Sequence, residues 1–131
     1  MTLLEALVAY SVSHNNASAA GVDAFYDFMP DKPDNCIVFY EYAGDPVLPY
    51  AEHVHRSVQV KVRGSTAEEA RNKATLLCSM FSSTTESRRI DFTDTLWGQA
   101  YIRQLPFKLE QDERNRVIYC FNLGITTNVL E

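Results

Sequence analysis

Cysteine is scarce in this chain and, where present, unpaired by spacing. Cys36, Cys78 and Cys120 stand far apart in 131 residues with no C-x-x-C among them. An odd, scattered set excludes a disulfide framework and a cysteine-based zinc site, and leaves three small hydrophobes in a reducing compartment. A long apolar run is missing too: nothing approaches the ~20 residues a membrane-spanning helix needs. The opening MTLLEALVAY has Glu5 and no basic stretch, so it does not read as a signal peptide. A basic excess is also absent. Twelve Lys and Arg against 17 Asp and Glu give a net charge of −5, which argues against a nucleic-acid binder. There are no internal repeats and no low-complexity tract. What remains is an ordinary globular composition, 46% hydrophobic and 22% charged, of a length suited to one domain spanning residues 1–131.

Periodicity sets out the elements. Thr2 followed by Glu5 is a capping box, and Leu3, Leu4, Leu7, Val8 and Val12 recur at helical spacing, which predicts a helix from Leu3 to about Asn15. Phe25, Tyr26, Phe28 and Met29 suit a short strand. Pro30 and Pro33 frame a turn, and the aromatic, β-branched CIVFYEY (Cys36–Tyr42) is a strand that stops at Gly44-Asp45-Pro46. From His55 to Arg63, Val58, Val60 and Val62 alternate with Ser57, Gln59, Lys61 and Arg63: a half-buried strand with one polar, basic face. After Gly64, Ser65 or Thr66 caps a helix, with Glu68 or Glu69 as the reciprocal partner. Ala67, Ala70, Ala74, Leu77, Cys78 and Phe81 make its apolar stripe. Ser82–Asp94 reads as a polar connection, about Gln99 to Leu105 as a strand, with continuation past Pro106 left open and Pro106 itself at an edge or bulge, QDERN as a hairpin turn, and the residues from Val117 as the last strand. The expected fold is α+β, a mainly antiparallel sheet of four to five strands with two helices packed on one face.

Motifs for chemistry are weak. The strand–Gly64–helix stretch resembles the start of a phosphate site. However, it has a single glycine, and Glu68 and Glu69 occupy the positive helix end that a phosphate would need. His53 and His55 share one strand face and, with Glu52 or Cys78, could seed a zinc site, but no second ligand pair follows. Asp23, Asp27, Asp31, Asp34, Asp45, Asp91 and Asp94 fall mostly in turns, and no spacing selects two as an acid–base pair. Ser79, Ser82 and Ser83 lack a G-x-S-x-G elbow. No enzyme, metal or cofactor is expected.

Charge is more informative. Val22–Glu52 holds seven acids against Lys32, whereas His53–Lys73 holds five bases against two acids. Either the two blocks neutralise each other inside one fold, or the acidic side of one copy meets the basic side of the next. The second contact would be head-to-tail and would close into a ring where the rotation permits.

Taken in order, FYDFMPDKPDNCIVFYEYAGDP, RSVQVKVRGSTAEEARNKATLLCSMF and RVIYCFNLGI resemble the minor capsid proteins of long-tailed bacteriophages, in particular the tail terminator (tail completion) proteins. The resemblance runs from about Phe25 to the end, through Pro30–Gly44, Val58–Arg63, Ala67–Ala74 and Asp112–Arg116; residues 84–98 match nothing in the pattern. It implies a structural virion protein at the head–tail joint, present in the host cytoplasm during assembly. Such a protein forms a homo-oligomeric ring, a hexamer, that caps the tail tube, ends tube growth and meets a head completion or connector protein. DNA would pass through its pore without specific recognition.

On that reading the interface candidates are Arg56, Lys61, Arg63, Arg71 and Lys73 on one side and Asp31, Asp34, Glu41, Asp45 and Glu52 on the other, with Trp97 as an apolar contact. Reversing Lys61 and Arg63 together is expected to block assembly without unfolding the monomer. The competing classes are another head–tail connector, a small protein-binding module of toxin–antitoxin type that would dimerise, and a small hydrolase or metal-dependent nuclease.

Overall fold

A computed structural model of the chain describes residues 2–14, 17–43, 53–81 and 88–128. The elements are α1 (Leu3–Ser13), β1 (Ala24–Tyr26), β2 (Cys36–Tyr42), β3 (Val54–Gly64), α2 (Ala67–Phe81), β4 (Arg88–Asp91), β5 (Trp97–Gln111) and β6 (Val117–Thr127). The strands form one sheet in the order β1-β2-β3-β6-β5-β4. The α+β class holds, but among the described residues the sheet has six strands and is mixed, because β1 runs parallel to β2 while the other pairs are antiparallel.

Both helices cover one face. Ile37 and Phe39 of β2, Val58, Val60 and Val62 of β3, and Phe121, Leu123 and Ile125 of β6 meet Leu3, Leu4, Leu7 and Val8 of α1 and Ala74, Leu77 and Phe81 of α2 in one core. The period of two along the strands and the helical stripe on α2 thus point at each other. Ala67, expected in that stripe, is exposed; the buried run begins at Ala70. Thr2 caps α1 by accepting the Glu5 N–H at 3.2 Å. Thr66 caps α2, accepting the Glu69 N–H at 3.2 Å, while the Ser65 hydroxyl donates to the Glu69 carboxylate at 2.7 Å. Gly64 is required by contact: a Cβ there would lie 2.7 Å from the Ala70 backbone nitrogen. The close return of α2 onto the strand end therefore excludes any side chain.

One strand departs from expectation, and another takes the longer of its two expected courses. The polar connection contains β4, whose Arg88 and Ile90 pair with Ala100 and Gly98 of β5. A four-residue strand with Ile90 as its only apolar residue has too few positions to show a period. β5 starts at Trp97 and runs to Gln111, past Pro106, because three register shifts against β6 absorb irregular residues, and Pro106 falls in the one between Gln104 and Phe107.

Candidate functional site

The charged residues singled out above fall into three groups. The first is used inside the subunit. Arg56 forms a two-pronged ion pair with Glu41 across β2 and β3, its Nη2 donating at 2.5 Å and its Nε also donating. Arg63 is 4% exposed, its Nε donating to the Asp34 carbonyl at 3.0 Å and its Nη2 to the Pro33 carbonyl at 2.6 Å. The polar face of β3 is therefore partly closed, and Ser57 on it is also buried. Reversing Arg63 would remove both bonds and destabilise the monomer, so a joint reversal of Lys61 and Arg63 is expected to weaken the fold as well as any contact between copies.

Asp31 and Asp34 face Arg116, a residue the sequence reading passed over. Arg116 is buried, and its guanidinium donates to Asp31 Oδ1 at 3.1 Å, Asp34 Oδ1 at 3.2 Å and Asp112 Oδ2 at 2.8 Å, and to the Asp31 carbonyl. Arg114 adds a contact to Asp31 at 3.0 Å. Arg63 and Arg116 together hold the 30–34 turn, which contains a cis Lys32–Pro33 peptide, against the end of the β5–β6 hairpin. Burial works against ionising Asp112. The backbone N–H and guanidinium of Arg116, with the Arg114 N–H, outweigh it and hold the carboxyl below the ordinary aspartate value. The hairpin closes through Asn115 at φ 61°, a conformation asparagine tolerates. The available signal for Arg116 was its place directly after this D-E-R-N turn, opposite a two-aspartate loop.

The second group lies near the surface. The Lys61 ammonium sits 5.0 Å from the Tyr40 ring centre. Arg71 is exposed and Lys73 half-buried on α2. Trp97 is stacked, with the Arg89 guanidinium 5.0 Å from its ring centre and the His53 ring 6.1 Å away. The third group, Asp45 and Glu52, lies outside the described residues.

The possible chemical sites assemble differently from an active centre. His55 shares a 2.6 Å hydrogen bond with Thr126, and among the described residues no three His, Cys, Asp or Glu side chains converge as metal ligands. Cys36, Cys78 and Cys120 are free and buried, and burial pushes each thiol upward. At the strand–Gly64–helix turn lies a groove of about 490 Å³, lined in part by Asn35, Arg63, Glu69 and Lys73. The Ser65 hydroxyl and the Asn35 amide hold Glu69 ionised below its usual range there, and a fixed carboxylate at a helix start repels phosphate.

Apolar exposure is concentrated at the two sheet margins. β4 pairs with β5 only as far as Ala100, so among the described residues the outer edge of β5 from Tyr101 to Gln111 has no strand beside it. Leu105, Phe107 and Leu109 stand on this stretch, 57%, 37% and 39% exposed. At the opposite margin Val22, Tyr26 and Phe28 are 57%, 39% and 60% exposed, beside an apolar groove of about 430 Å³ that reaches Val8 and Ala24. The register shifts in β5 break the alternation that would have marked its exposed residues in the sequence.

Over residues 11–129 the chain matches the family model described as Bacteriophage tail terminator protein. No match was found among curated proteins.

Proposed function

We propose, for a chain that belongs to the bacteriophage tail terminator family, that its copies form a ring, a hexamer, which caps the tail tube, stops its growth and presents a surface to the head. The family is one of structural tail proteins, and membership makes this chain a virion component. The observation that carries the reading is the family match over nearly the whole chain, residues 11–129. The fold supports it: one small sheet with apolar exposure on both margins suits a subunit made to be flanked by others.

On this reading the partners are further copies of the chain, the tube protein on one side and a head completion or connector protein on the other, with DNA passing through the pore. Among the described charges named from sequence, Lys61, Arg71 and Lys73 act as secondary contacts that set orientation, since surface pairs contribute only about 0–1 kcal/mol each.

Add-back to a lysate of a phage lacking its terminator tests the function. The purified chain should restore tails of uniform length and joined particles. Tubes that stay overlong and unjoined in the presence of folded protein would refute it.

A further inference from the structure

Two exposed apolar patches differ in sequence and lie toward opposite sides of the sheet, one around β1 at one end of the strand order and one on the stretch of β5 beyond its pairing with the end strand β4. A twofold contact uses one patch twice and leaves the other in water. A head-to-tail contact uses both and repeats. The patches also differ in charge. The open edge, Tyr101–Gln111, carries Arg103 and Lys108 against Glu110 and is net positive, whereas Val22–Phe28 carries Asp23 and Asp27 and no base. Asp27 lines the apolar groove at the β1 margin, next to Phe28. Lys108 lies between Phe107 and Leu109 on the open edge. Each patch therefore repels a second copy of itself and attracts the other.

We infer that the open edge of β5, through Leu105, Phe107 and Leu109, docks on the β1 margin of the next copy, against Val22, Tyr26 and Phe28, with Lys108 facing Asp27. The occupant of each patch is a second copy of this chain. The inference deepens the ring reading above and rests on it. It assigns the apolar centre of the subunit contact to residues outside the charged set chosen from sequence. Three register shifts twist this edge, which keeps free copies from pairing edge to edge through flat strands. Docking is then by side chains into a groove more than by a continued ladder.

Cross-linking the assembled protein tests the orientation. Full-length Phe28→Cys, Phe107→Cys and the double variant are allowed to assemble on tube ends and treated with a short bis-maleimide. The three native cysteines are buried, and the unmodified protein serves as control. The double variant should give a ladder extending beyond dimers, and each single variant should give none. A covalent dimer from Phe107→Cys alone would mean a twofold contact and overturn the inference, as would cross-linking of that variant to tube subunits. A ring that forms and yields no cross-link in any variant would also overturn it while leaving the proposed function standing. Failure to bind tube ends at all would remove both.

Discussion

Tyr101 lies over Gly124, its partner in the β5–β6 register, so closely that a Cβ on Gly124 would come 2.1 Å from the tyrosine Cζ. The aromatic ring takes the place of the missing side chain on the face away from the helices. Gly124→Ala should therefore cost about 1–3 kcal/mol, the usual range for overpacking. Tyr101→Ala in the same chain should recover part of that loss, because the ring tip is the obstacle. Gly64→Ala should cost more and have no such rescue, since its neighbour is the Ala70 backbone. Chemical denaturation of Gly124→Ala, Tyr101→Ala, their double variant and Gly64→Ala reads both effects, and strictly additive losses for the Tyr101–Gly124 pair would contradict the first.

Arg63 and Arg116 hold the 30–34 turn from two sides. Arg63→Glu removes two charge-assisted hydrogen bonds from a buried guanidinium to the Pro33 and Asp34 carbonyls and should cost about 3 kcal/mol. Arg116→Met should lower the melting temperature and loosen the same turn, seen as faster amide exchange in residues 30–34. Lys61→Glu, which breaks a contact over the Tyr40 ring at the sheet surface, should leave the melting temperature nearly unchanged. Equal losses for Arg63→Glu and Lys61→Glu would show that the turn is not held as described.

Asp112 is held below the ordinary aspartate value, so its contribution follows a definite sign. A depressed carboxyl stabilises the fold at pH above its unfolded value, about 3.9, and that stability is lost as pH falls through the folded value. Asp112→Asn should be less stable than the native chain at pH 7, and the gap should close below about pH 4. A gap that stays constant down to pH 2 would mean that the charge is not the cause.

Ala74 is fully buried where α2 meets the sheet. Ala74→Glu puts an unpaired carboxylate there and should destabilise by more than about 4 kcal/mol, enough to unfold a marginal domain. A native-like melting curve for that variant would place α2 elsewhere.

The parts of this fold legible from sequence are those with a sustained period. The alternation of Val58, Val60 and Val62 and the Ala70–Ala74–Leu77–Phe81 stripe lead to β3 and α2, and the caps at Thr2 and Thr66 mark the helix starts. β4 escaped because it is four residues long, and the far end of β5 stayed open because the strand shifts register three times. The charge blocks were visible as composition, yet their use depends on distances along the sheet. Arg56 meets Glu41 because β2 and β3 are neighbours, and Arg116 reaches Asp31 from 85 positions away. The exposed margins were hidden for a related reason: Leu105 and Phe107 look like core residues until it is known that, among the described residues, no strand pairs with that edge.

Imaging tube ends with the chain bound, together with native mass measurement of the released complex, tests the central claim most directly. The account predicts one closed ring with a pore at a single end of each tube, of a fixed mass equal to six copies, and tubes of one length. Protein spread along the tube wall, or released only as monomers and dimers with tube lengths unaffected, would contradict it.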